Sequence, residues 1–260
     1  MRLRIARRGG VLALTAVAAL LVGVVPASAA PGDGSAYGVK VDVTLLNVPA
    51  VHVGPLAAAR TTGPTTDTLA SATVPGVLTA GVINTSAKKD PNTGGVTATA
   101  STAKVGLPLL SALGSVHADL IVAKCEADQK GEHGQSTLAN ATLGKLGALA
   151  VNPAPNTVVR ISLPLVGNVA TLTLNEQIHN RDGSLTVNAL HLHLLGGRGV
   201  GAIGSGDVII SSATCGPAAL PIPMASGAGL WIGLGLLGAI AVPVGTTVVR
   251  RRRTSAATAA

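Results

Sequence analysis

In the segment LTVNALHLHLL, His191 and His193 are two residues apart. Side chains two apart on a β-strand share a face, so both imidazoles would point the same way, a spacing from which metal sites are built. A third ligand would have to come from His117, Asp119 or His179 on neighbouring strands. No spacing selects among them, and two ordinary histidines on a strand surface are the commoner arrangement. His191 and His193 are therefore weak metal candidates, no catalytic residue is assigned, and no cofactor is expected.

Glu176 and Asp182 could be read as the paired carboxylates of glycoside hydrolysis. Asp182, however, lies in NRDGS, where aspartate is favoured for its backbone hydrogen bonds alone. The sequence carries neither a G-x-S-x-G elbow nor an HExxH pair. GVGAIG (Gly199 to Gly204) fits G-x-G-x-x-G, but a dinucleotide site needs a helix after those glycines, to present its N-terminus to the pyrophosphate. Here SGDVIISS follows, another strand pattern, so the glycines read as a loop between strands. Asn84-Thr85-Ser86 and Asn140-Ala141-Thr142 match the N-glycan acceptor pattern, which has meaning only in a host that makes such glycans.

The two cysteines, Cys125 and Cys215, end two predicted strands. In an oxidising compartment they are expected to pair. The bond would close a loop of about 90 residues, worth on the order of 4 kcal/mol in the chain-entropy account.

The elements that must position these residues read as strands. In YGVKVDVTLL, Val39, Val41, Val43 and Leu45 alternate with Lys40, Asp42 and Thr44, the period-two pattern of a half-buried strand. VTATASTAKV (Val96 to Val105), VHADLIVAKC (Val116 to Cys125) and DVIISSAT (Asp207 to Thr214) continue the style. ATLTLNEQIH (Ala170 to His179) and LTVNALHLHLL (Leu185 to Leu195) flank NRDGS and read as a β-hairpin. KKDPNTGG and NPAPNT are turn clusters. Ala58 to Gly76, rich in Thr, Pro and Gly, is expected to be a long loop, and VGLPLLSALG has room for one helical turn. With no amphipathic helix in this region, the fold class is all-β, an antiparallel β-sandwich or barrel. The chain has no Phe, one Tyr and one Trp, so the core must be built from Val, Leu, Ile and Ala. Stacking-driven sugar recognition, which uses exposed aromatic faces, is disfavoured.

The charge is placed at the ends. Of 19 basic residues, Arg2, Arg4, Arg7, Arg8 and Arg250 to Arg253 account for 8, which leaves 11 against the 11 acidic residues, or 11 − 11 = 0 between them. A neutral domain has no field for gripping nucleic acid. The basic start, the apolar run Val11 to Val25 and Ala27-Ser28-Ala29 form a signal-peptide pattern with cleavage expected after Ala29. Arg7-Arg8 lacks the context of a twin-arginine signal, which favours Sec export. Gly229 to Val249 is 21 residues without a charge, about 30 Å as a helix, and the arginines behind it fix a cytoplasmic tail. The expected organisation is a signal peptide (1–29), an exported β-domain (30–216), a linker (217–228), a transmembrane helix (229–249) and a tail (250–260). Gly229 and Gly233 form a small-xxx-small pair, a weak signal for self-association. Leu220-Pro221-Ile222-Pro223 lacks the threonine and glycine of a sortase motif.

SAYGVKVDV, LTLNEQI, LTVNALHLHLLG and GDVIISSATCG together make the chain resemble the choice-of-anchor P family of actinobacterial surface proteins, over most of Ser35 to Gly216. The resemblance implies an exported β-domain joined to an interchangeable C-terminal attachment device, here a membrane helix, and it brings no catalytic or binding residues with it. The expected role is that of a membrane-anchored extracellular envelope protein, structural, adhesive or binding, whose partners are the membrane and an envelope or protein ligand. The alternative is a surface hydrolase or metal-dependent enzyme using the neighbourhood of His179, His191 and His193.

Overall fold

A computed structural model describes residues 31–45, 50–163, 167–196 and 204–219. The expected signal peptide, transmembrane helix and tail, and most of the linker, lie outside the described residues. Among the described residues no helix is long and apolar enough to cross a membrane.

Fourteen strands follow one another: β1 (Gly34–Leu45), β2 (Val51–Arg60), β3 (Thr66–Leu69), β4 (Ala72–Val74), β5 (Leu78–Ala80), β6 (Ile83–Lys89), β7 (Val96–Gly106), β8 (Val116–Asp128), β9 (Gly131–Ala139), β10 (Thr142–Leu143), β11 (Thr157–Leu163), β12 (Gly167–His179), β13 (Leu185–Leu195) and β14 (Gly204–Cys215). All pairings are antiparallel. One sheet has the order β11-β12-β13-β14-β1-β2, and the other eight strands form the second sheet around β7 and β8. The all-β expectation holds, and its architecture is two sheets face to face. VGLPLLSALG does contain a helical turn, the 3-10 segment Pro108–Leu113. The stretch Ala58 to Gly76 is not a long loop: it holds the end of β2 and the short strands β3 and β4. Its threonines explain the difference, since Thr is β-branched and suits a pleated surface as well as a turn.

The core is aliphatic, as the missing aromatics require. β12 and β13 turn Leu172, Leu174, Leu185, Leu190, Leu192 and Leu194 inward, and the second sheet turns in small residues, among them Ala98 and Ala100 of β7 and Ala123 and Ala127 of β8, all buried. Large residues on one sheet facing small ones on the other fill the space between without aromatic rings. Gly38 is part of this fit, because a Cβ there would collide with Ile83 Cγ2. β2 is an edge strand carrying Gly54 and Pro55 opposite a register shift between Val39 and Val41. A proline is tolerated on an edge because its missing N–H breaks no internal ladder.

In the six-stranded sheet the inside-outside alternation changes phase along one line. Val208 and Ile210 of β14 are buried core residues, but beyond Ser211 the core residues are Ala213 and Cys215. Asn175, Ala189, Ser211, Gly38 and Ala57 fall on this line, in the gaps between ladder pairs such as Leu174↔Leu190 and Glu176↔Asn188, or Tyr37↔Ser212 and Val39↔Ile210. Three of them take left-handed backbone: Asn175 (φ 48°), Ser211 (φ 55°) and Ala57 (φ 50°). That conformation costs a non-glycine residue about 1 kcal/mol or more. Two of the three are polar and buried, and both find partners on the other side of the core. Ser211 Oγ donates to the Ile121 carbonyl at 2.9 Å and meets Thr102 Oγ1 at 2.9 Å. Asn175 accepts from Ser136 Oγ at 3.1 Å and donates to the Pro153 carbonyl at 3.0 Å. The phase change is thus pinned by hydrogen bonds between the sheets.

Candidate functional site

The phase change assembles the main polar cluster of the six-stranded sheet on its outer face. Without it, outward residues would sit at a constant spacing of two. With it, Asn188 and His191 of β13 both face outward though they are three apart, and Glu176 of β12 is drawn beside His191. Cross-strand pairing then sets two rows. Tyr37, Ser212, Asn188 and Glu176 are successive partners across β1, β14, β13 and β12, and His52, Asp42, Asp207 and His193 are successive partners across β2, β1, β14 and β13. His191 lies between the rows.

A continuous hydrogen-bonded chain links them. Ser212 Oγ donates to Asn188 Oδ1 at 2.7 Å, and Asn188 Nδ2 donates to Glu176 Oε2 at 2.7 Å. The same Glu176 oxygen faces His191 Nδ1 at 2.8 Å, while His191 Nε2 faces Asp207 Oδ1 at 2.9 Å. His193 Nδ1 reaches that Asp207 oxygen at 2.7 Å, and alongside, His52 Nδ1 pairs with Asp42 Oδ1 at 2.7 Å. Ionised carboxylates only accept, so both contacts of His191 are hydrogen bonds at once only when the ring is an imidazolium donating twice.

The electrostatics agree with that reading. The hydrogen bond to Glu176 raises the His191 pKa above its ordinary value, against the opposing effect of burial, with Asp207 adding to the rise. The bond from His191 holds the Glu176 carboxyl low, against burial and with help from Asn188. Burial pushes Asp207 up, but bonds from His193 and His191 outweigh it and leave the carboxyl lowered. Burial raises the Tyr37 phenol, Ser212 opposes this by hydrogen bonding, and the Glu176 charge adds to the rise.

The candidate residues are only partly brought together. His191 and His193 do share a face and do meet carboxylates. His179 does not join them: it pairs with Leu185, while His191 pairs with Thr173, six residues or about 20 Å away along the strand. His117 and Asp119 lie on β8 in the other sheet, where His117 contacts Ser115 and Asp119 accepts from Asn140. None of the three supplies the expected third ligand, and among the described residues no group of three or more His, Cys, Asp or Glu side chains is arranged to hold a metal ion. Asp182 stays in its turn, accepting from the backbone N–H and hydroxyl of Ser184, and does not partner Glu176.

Asp207, Asn188, Ser212 and Asp42 carry the cluster without having been singled out in the sequence. The depression above them, lined by Lys40, Asp42, His191, Asp207 and Ile209, encloses about 180 Å³, below the roughly 300–1,000 Å³ of small-molecule pockets. His191 is engaged on both nitrogens and Ser212 Oγ donates to Asn188, so neither of these two side chains is placed as a base or a nucleophile, whereas His193 and His52 meet their carboxylates through Nδ1 alone. Around His191 the arrangement is a cross-strand tie between β12 and β14.

Cys125 and Cys215 form a disulfide across the sandwich, with Cα atoms 5.6 Å apart and both residues fully buried. It joins β8 in one sheet to the last residue of β14 in the other. The first and last described segments lie at the same end of the domain: Gly32 N–H donates to the Pro217 carbonyl and Gly216 N–H to that of Asp33, each at 2.8 Å. Beyond them Ala219 N–H donates to the Gly94 carbonyl at 2.9 Å, and Gln129 Nε2 to the Ala219 carbonyl at 3.1 Å. No protein-family model, curated protein or solved structure matches the chain.

Proposed function

We propose that the protein is a membrane-anchored, extracellular cell-envelope protein with a structural, adhesive or binding role, of the choice-of-anchor P type, held by a helix at 229–249 with its tail in the cytoplasm. The observation that carries this reading is the Cys125–Cys215 disulfide, a bond characteristic of oxidising compartments. It accords with a signal peptide at 1–29 and Sec export. The four motifs behind the resemblance fall on β1, β12, β13 and β14, which are contiguous in one sheet, so they describe one structural unit. The small volume of the depression over that sheet, about 180 Å³, supports a non-catalytic role.

The test is protease treatment of intact cells expressing the chain with a tag behind Ala260. The domain should be degraded from outside by a broad-specificity protease, while the tag stays protected until the membrane is permeabilised, and the mature N-terminus should be Ala30. Recovery of intact protein in the cytosolic fraction, or cleavage of the tag on intact cells, would overturn the reading.

A further inference from the structure

The geometry points to a proton-held staple on the outer face of the six-stranded sheet: His191 ties β12 to β14 through Glu176 and Asp207 only while it carries two ring protons, and lets go of β14 when it loses one. The argument is one of donor counting. A neutral imidazole has one N–H and one lone pair, and an ionised carboxylate has no proton to give, so both contacts cannot survive deprotonation. Which one fails follows from the surroundings. Glu176 is the more enclosed partner, with its side chain 19% exposed against 44% for Asp207, and Asn188 holds its contacting oxygen in place. The remaining proton therefore stays on Nδ1, facing Glu176. The Nε2 lone pair then opposes the Asp207 carboxylate, which is also free to move with His193 into solvent.

The groups that face His191 reinforce the switch. β12 contributes Glu176, β14 Asp207, β13 His193, and β1 contributes Tyr37, Lys40 and Asp42, with His52 of β2 on Asp42. Arg160 of β11 lies one strand beyond His193, across Thr171. Asp42 and Asp207 are direct cross-strand partners, and like charges so placed repel. The imidazolium offsets that repulsion, so its loss loosens the β13–β14–β1 seam and not merely one side chain. This inference concerns the surface a displayed domain turns outward, and it holds whether or not the chain is anchored.

The test uses the full chain in detergent micelles with ¹⁵N-labelled histidine. At about pH 5.5, one unit below the ordinary histidine value, the His191 ring should show two bound protons. Above a transition that lies higher than for free histidine, only the Nδ1 proton should remain. Amide exchange along β14, corrected for its intrinsic pH dependence, should speed up through the same transition, and Glu176→Gln should move the transition down. A singly protonated His191 ring at about pH 5.5, or β14 protection indifferent to the transition, would overturn the staple. Failure of the membrane fractionation would leave this result untouched.

Discussion

Reducing the Cys125–Cys215 bond is the perturbation whose magnitude follows most directly from the structure. The sulfurs close a loop with a sequence separation of 90. In the chain-entropy account this removes about 15 cal/mol/K from the unfolded chain, or about 4.6 kcal/mol at 25 °C. Both cysteines are fully buried and join different sheets, so the cross-link restrains an unfolded chain that would otherwise let the sheets separate. Urea unfolding of the oxidised and reduced chain, followed by far-UV circular dichroism, measures the difference. With a slope of about 2 kcal/mol/M for a domain of this size, the midpoint should fall by about 2 M on reduction. The slope itself should rise, since an uncrosslinked unfolded chain exposes more surface. The Cys125→Ala, Cys215→Ala double variant should behave like the reduced chain. A midpoint shift below about 0.5 M with an unchanged slope would refute the reasoning.

Three further outcomes are expected. Ser211→Ala removes the hydroxyl that bridges Thr102 and Ile121 in the core and should cost about 1–3 kcal/mol by the same denaturation assay. Gly38→Ala should cost about 1–3 kcal/mol through its collision with Ile83, and the same substitution should cost less in an Ile83→Ala background, a coupling visible in a double-mutant cycle. Stability against pH should show a plateau from the outer-face cluster. The raised His191 contributes fully below about pH 6.5 and loses its contribution as pH climbs through its folded value, whereas the lowered Glu176 and Asp207 contribute fully above about pH 4.5 and lose theirs on acidification. Thermal melts across that range should therefore peak between those limits, and His191→Gln should remove the alkaline shoulder.

The hairpin of β12 and β13 was legible because alternating Leu and Thr flank a glycine turn, and the cysteine pair because export and strand ends both point to it. The short strands β3, β4 and β10 were not, since two to four residues give no measurable period and their Thr content reads equally as turn. The cluster was half legible. Spacing alone puts His191 and His193 on one face. Asp207 joins them only through strand order and register, and Glu176 through these and the phase change at Asn175, none of which a count of two along the chain can show. A strict alternation would even have set Glu176 on the face opposite Thr171, and Asn188 on the face opposite His191. Left-handed backbone at Asn, Ser and Ala carries no sequence mark comparable to glycine, which is why that step passes unseen.

Because Cys215 is the final residue of β14, tension applied at Gly216 first breaks the few hydrogen bonds of residues 216–219 and then meets a covalent cross-tie. It is passed straight to β8 in the middle of the opposite sheet. The hydrogen bonds of β14 to β13 and β1 are never loaded one after another, as they would be in a zipper pulled from its end. A pull from that side is shared between the two sheets from the start.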